Sequence, residues 1–354
     1  MNSAVRTTLP NGLRVVIVPD RLAPVVQTQM IYLTGSAAAP NGFPGTAHAL
    51  EHMMFNGSKG LSRDQLSTVS ARIGNVSNAF TTEDTTQYYF QAPAHYLDVL
   101  LKIEADRMRH VLLTDADWSH ERGAIEQEIA RDLSMPFERF LIEQNKALFG
   151  GTPYDHDALG TRESFDKTDA KLLRGFYDSW YQPNNAILLI VGDVDPTETL
   201  DKVRAEFSAI PSGKLPPRPV IDPAPVKAKT IKVDSDYATG ILSLAWRLPG
   251  SDSPDYAAAQ ILADVLGSNV ERFLLSSRKA RPSRPSSPII RASTQVLAAL
   301  WPPSPRDRTR PPYSTKFVPF WRRSVRRVFP PIWLTPPNAR KLRPSNSTPT
   351  GSPI

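Results

Sequence analysis

Two imidazoles and a carboxylate fall within five residues at His48-Ala49-Leu50-Glu51-His52. On a helix each residue turns the side chain by about 100°, so His48 and His52 lie about 40° apart and Glu51 about 60° from His48. Two imidazoles one turn apart can chelate a single zinc ion, and the carboxylate beside them reaches the water on that ion rather than the ion itself. Zinc lowers the pKa of such a water towards neutrality and polarises a carbonyl, while the carboxylate takes and passes on the proton. The pattern therefore predicts hydrolysis assisted by one zinc ion, with Glu51 as general base. A solvated helix face could carry the same residues, but six histidines in 354 residues make a chance match a poor explanation. His95, His110, His120 and His156 read as structural or surface histidines.

A catalytic zinc site needs a third protein ligand and one open position. The chain has no cysteine, so the third ligand is another imidazole or a carboxylate, and thiolate chemistry and disulfides are excluded. The stretch Asp115 to Leu133 reads as a helix and offers Glu121, Glu126 and Glu128. Glu121 and Glu128 share a face about 10.5 Å apart, too far for both to hold one ion, and Glu126 points away. One of the pair then binds the ion and the other steadies a ligand histidine.

Several ordered blocks resemble the pitrilysin/insulinase family of inverted zinc peptidases, whose His-x-x-Glu-His signature reverses the commoner zinc-peptidase order. They are Leu9-Pro-Asn-Gly-Leu13, Gly45-Thr-Ala-His-Ala-Leu-Glu-His-Met-Met-Phe55, Asn78-Ala-Phe-Thr81, Glu121-Arg-Gly-Ala-Ile-Glu-Gln-Glu128, and Tyr181-Gln-Pro-Asn-Asn-Ala186 leading into Val191-Gly-Asp193. The likeness spans roughly residues 6 to 268. It implies that His48, His52 and Glu128 bind one zinc ion, that Glu51 is the general base, and that Glu121 steadies a ligand. It implies that Asn78, Ala79, Phe80 and Thr81 form an edge strand to which a peptide substrate adds. The implied fold is α+β, two similar halves of mixed or antiparallel sheet with helices packed on one face, enclosing a chamber for unfolded peptides. The resemblance also implies a homodimer or a paired peptidase subunit as the assembly, with a non-catalytic partner subunit as the alternative to an enzyme. The family's second half also supplies an Arg/Tyr pair for the substrate carbonyl. Nothing around Arg310 or Tyr313 matches it, so activity is expected to be impaired.

The elements that must position these residues follow from pattern. Leu13 to Pro19, after the turn Asn11-Gly12, and Val25 to Leu33 read as strands. Thr46 reads as the N-cap of the histidine helix, which runs to Gly57. Leu61 to Ile73 and Asp98 to Val111 read as helices, Val76 to Phe90 as strands, and Ala186 to Val191 as a buried strand. Residues 1–211 make the zinc-binding domain. Residues 212–229 form a Pro-rich linker. Residues 230–276 are a partial second domain, with strands at Thr230 to Val233 and Gly240 to Trp246 and a helix from Pro254 to Gly267. Matching the helix ends puts Ala258, Ile261 and Leu262 where His48, Glu51 and His52 stand, so this copy lacks a metal site.

The net charge of +7 conceals two populations. From Arg278 onward there are thirteen Arg and three Lys against the single acid Asp307, a surplus of +15, which leaves −8 for the rest. Sixteen of the 34 prolines also lie there. Residues 277–354 thus read as a basic tail, either disordered or translated out of frame, and an unstructured basic tail would bind nucleic acid or anionic membrane. With the metal motif intact, nucleic acid is not the expected partner. No stretch is long and apolar enough to span a bilayer, and the start lacks a signal-peptide pattern. As written the chain is expected in the cytoplasm, or in the periplasm if the true start lies upstream.

Overall fold

The computed structural model describes residues 4–219, 221–222, 224–234, 243, 245–250, 253–265 and 298–300. Six strands form one sheet: β1 (Val5–Thr8), β2 (Arg14–Pro19), β3 (Val25–Tyr32), β4 (Val76–Thr81), β5 (Thr86–Pro93) and β6 (Ala186–Gly192). Their order is β1-β2-β6-β3-β5-β4. Within this sheet β2 and β6 pair in parallel, and the other neighbours run antiparallel. This is the mixed, mostly antiparallel sheet of an α+β fold.

Alternation decides which face the sheet buries. In β3, Val26, Thr28, Met30 and Tyr32 are buried while Gln27, Gln29 and Ile31 are only partly covered. In β6 the inward residues are Ala186, Leu188 and Ile190. The buried face forms one core with Leu50 and Met53, with Leu97, Leu100, Leu101 and Met108, and with Val203 and Phe207. Those residues come from α1 (Thr46–Met53), α3 (Leu97–His110) and α8 (Pro196–Phe207). Around them lie α2 (Arg63–Arg72), α4 (Asp115–Ser134), α5 (Pro136–Phe149), α6 (Arg162–Phe165) and α7 (Ala170–Trp180).

Two boundaries differ from expectation for local reasons. The N-cap of α1 is Gly45 rather than Thr46. Its φ of +89° is left-handed, and a Cβ there would meet Leu159 O at 2.5 Å, so only glycine fits. Thr46 is the first helical residue and donates its hydroxyl to Phe43 O at 2.7 Å. The helix also ends at Met53, short of Gly57, because Phe55 and Asn56 donate back to His52 O and Met53 O in a tighter turn.

Further along, Gly213 O accepts from Asn184 Nδ2 at 2.9 Å. Arg218 donates to Leu33 O at 2.7 Å and to Asn185 Oδ1 at 2.8 Å, so the Pro-rich segment is pinned to the sheet's end. Residues 230–233 form no strand. The strand expected to end at Trp246 instead begins there: β7 (Trp246–Leu248) pairs in parallel with β8 (Ala298–Leu300). Most of 240–245 lies outside the described residues. Strand β8 falls within the segment 277–354 read as tail, at an apolar run, Leu297-Ala298-Ala299-Leu300, inside Pro/Arg-rich text. Arg310, Tyr313 and the rest of that segment lie outside the described residues. Residues 256–265 are helical, with Ile261 exposed.

Candidate metal centre

Helix α1 is buried along almost its whole length, Thr46 to Glu51 and Met53 being covered. Ala47 and Ala49 are fully buried. Helix α4 starts at Thr114, whose hydroxyl accepts from Asp117 N. It is anchored through buried Trp118, Ile125 and Ile129, with Trp118 Nε1 donating to Thr168 O at 2.9 Å. Anchoring that stripe turns the neighbouring Glu121 and Glu128 towards α1.

The two helices bring His48, His52 and Glu128 together. One ligand atom from each lies within 4.8 Å of the others. Glu128 Oε2 is 3.3 Å from His52 Nε2 and 3.8 Å from His48 Nε2. Donors about 2.0–2.2 Å from a tetrahedral zinc ion stand about 3.3–3.6 Å apart. The His52–Glu128 separation falls in that range and the His48–Glu128 separation lies just above it, so the donor set fits zinc in its chemistry and comes close to it in spacing. Glu121 stands one step back. Its Oε1 is 3.1 Å from His52 Nδ1, while its Oε2 accepts from Asn56 Nδ2 at 3.1 Å and faces Arg63 Nη1 at 3.8 Å. Glu126 turns away to pair with Arg122 at 2.8 Å.

Charge states follow from this packing. Burial, with the charge of His52 and against that of Asp132, pushes the His48 imidazole down to about 3, which leaves a neutral ring with a free lone pair. Burial also works against protonation of His52, yet the bond to Glu121 and the charges of Glu51 and Glu128 raise its pKa overall. The same bond to His52 holds Glu121 below the usual carboxylate range, against its burial and with help from Asn56. Glu51 is raised by burial, opposed by a hydrogen bond from Thr81 and by His52.

Strand β4 lies at the sheet's edge. Asn78 and Phe80 are exposed, whereas Ala79 and Thr81 are partly covered. Thr81 Oγ1 donates to Glu51 Oε2 at 2.6 Å, so the residue expected to meet substrate also touches the expected base. Asn56 and Arg63 carried no local signal of their contact with Glu121, which spans 65 residues for Asn56. His95 lies tilted against Tyr96, His110 pairs with Asp106 and His156 bonds to Asp157 O, away from the cluster.

Residues 14–161 match the family model described as Insulinase (Peptidase family M16), and residues 167–290 match that of the Peptidase M16 inactive domain. The chain is similar to the zinc protease PqqE of Helicobacter pylori, 28% identical over 278 residues, covering 76% of this chain and 62% of that protein. It is also similar to a probable mitochondrial-processing peptidase subunit beta of Arabidopsis thaliana, 24% identical, covering 74% of this chain and 50% of the relative. Among solved structures, a protease from Helicobacter pylori superposes with a TM-score of 0.64 at 25% identity, over 75% of this chain and 66% of that one. The chain thus spans less than two thirds of the curated relatives it matches. With both domain models matched in order, the chain belongs to the insulinase family of peptidases, family M16.

Proposed function

We propose that this chain is a zinc metalloendopeptidase that hydrolyses peptide bonds in unfolded peptides, with one zinc ion held by His48, His52 and Glu128. The observation that carries the reading is the convergence of those three ligand atoms within 4.8 Å beside a base, Glu51, of raised proton affinity. When bound, zinc supplies a water of lowered pKa and an electrophile for the peptide carbonyl. The chain's own residues do the rest. Glu51 takes the proton as the water oxygen adds to the carbonyl carbon, and gives it to the amide nitrogen as the C–N bond breaks. Thr81 holds Glu51 Oε2 and leaves Oε1 for that proton. Asn78 to Thr81, on the open edge of β4, can pair with an extended peptide as an added strand.

The test measures zinc stoichiometry and cleavage of an unfolded peptide by the full chain, with Glu51→Gln alongside. One zinc per chain is expected in both, with hydrolysis falling about 10²–10⁴-fold in the variant. A second reading, a non-catalytic partner in a peptidase pair, is supported by the similarity to a protein named as a processing-peptidase subunit. Equal zinc binding with no hydrolysis that depends on Glu51 favours that reading and removes the first.

A further inference from the structure

Beyond the residues that would touch metal or substrate, one polar side chain is buried against the centre. Asn56 is 9% exposed. Its backbone N–H donates to Met53 O at 3.1 Å, and the next residue, Gly57, accepts from Leu112 N at 3.3 Å. Both sides of Asn56 are therefore fixed by main-chain bonds. Its amide donates to Glu121 Oε2 at 3.1 Å, with Met53 Sδ 3.6 Å away as a weak second acceptor. Glu121 turns its other oxygen, Oε1, to His52 Nδ1 at 3.1 Å. The arginine near Glu121, Arg63, is 3.8 Å away and 53% exposed, so solvent screens it and its long side chain can swing off.

We propose that Asn56 is a positioning residue for the metal centre. By gripping Glu121 Oε2 it fixes the carboxylate plane, so that Oε1 always accepts from His52 Nδ1–H. That bond selects the tautomer in which His52 Nε2 is bare and aimed at Glu128. An ionised carboxylate only accepts hydrogen bonds and a neutral imidazole carries one N–H, so the chain Asn56 to Glu121 to His52 has one consistent direction. Partners of this kind orient ligand histidines, and losing one costs about 10–100-fold in metal affinity. The inference rests on the zinc reading above.

The test compares Asn56→Asp, Asn56→Leu and Glu128→Gln, and places Asn56→Asp in a Glu121→Gln background. Zinc affinity of the full chain is measured by competition with a chromophoric chelator. The His52 tautomer is read by nitrogen-15 NMR of the metal-free, histidine-labelled chain at a pH above the raised folded pKa of His52, where the ring is neutral. Asn56→Asp and Asn56→Leu are expected to weaken zinc about tenfold or more. In the Glu121→Gln background Asn56→Asp is expected to cost less than about threefold, because the amide introduced at position 121 can donate to the new carboxylate. Wild-type His52 is expected as the Nδ1–H tautomer, and Asn56→Leu as a mixture. Equal losses in both backgrounds, unchanged affinity, or an Nε2–H tautomer in the wild type would overturn the proposal. If Glu128→Gln loses zinc while Asn56→Asp does not, this proposal alone fails. If Glu128→Gln binds as the wild type does, the metal reading fails and takes the proposal with it.

Discussion

Thr81 carries two candidate roles, and kinetics separate them. As part of the edge strand it would grip substrate backbone, and as the donor 2.6 Å from Glu51 Oε2 it would hold the base. A hydrogen bond to a charged group is worth about 1.5–3 kcal/mol, about 10–100-fold in rate. Thr81→Val keeps the shape and deletes the hydroxyl. It is expected to lower kcat by that factor with KM and zinc affinity unchanged, and Thr81→Ser to restore it. A rise in KM at constant kcat assigns Thr81 to the substrate instead. At this scale the readable part of the site was the local part. His48, Glu51 and His52 share one helix, and Glu121 and Glu128 share another, so the 3.6-residue period suffices to sort them. Which of the two glutamates would hold a metal is left open by spacing and is supplied by resemblance. The Thr81 and Asn56 contacts cross 30 and 65 residues, where no period operates.

Among elements, α1 and α3 carry the most unusual interactions. The start of α1 depends on Gly45, whose left-handed φ and contacts with Leu159 O and Phe165 leave no room for a Cβ. Gly45→Ala is expected to destabilise the fold by about 1–3 kcal/mol and to weaken zinc binding with it, read by urea unfolding and chelator competition. Helix α3 buries Arg107, 3% exposed, against Glu104, 1% exposed, at 3.1 Å. The guanidinium also lies within 5.1 Å of the ring centres of Phe55, Tyr88 and Phe90. Removing one buried partner strands the other charge, at about 3–5 kcal/mol. Glu104→Leu alone is therefore expected to cost more than Glu104→Leu with Arg107→Met, and additive losses in urea unfolding would show that the pair is not coupled. Apolar and Thr/Tyr/Phe-rich runs bounded by turn residues made most of the sheet legible, and cap and stop residues the early helices. The pair on α3 was not, because a Glu and an Arg three apart look like any solvated ion pair until a sheet covers them. The strand at Ala298–Leu300 was hidden by composition, its apolar run being too short to outweigh the prolines around it.

Over the whole molecule, acid should act on the metal-free fold with opposite signs at neighbouring residues. Unfolded His48 takes a proton below about 6.5, but the folded ring stays neutral down to about 3 because burial, and then His52, oppose its charge. Between those values the unfolded state binds more protons, so stability falls as pH falls through that window. Glu51 works the other way. Its folded pKa is raised by burial, so above its unfolded value the native state holds a proton that the unfolded chain has released, and stability grows as pH falls into that range. Unfolding free energies in urea with a chelator present, at pH 7.5, 6 and 5, are expected to decline less steeply for His48→Gln than for the wild type. Glu51→Gln is expected to decline more steeply, and a His48→Gln slope equal to the wild type's would mean that the folded ring is already charged. Zinc binding titrates on a different residue. His48 is neutral throughout this range, whereas His52 has a raised pKa through Glu121, Glu51 and Glu128 and must lose its proton to bind. Zinc affinity should thus weaken as pH drops through the folded pKa of His52, and Glu121→Gln, which removes the strongest of those attractions, should move that loss to lower pH while weakening binding at neutral pH.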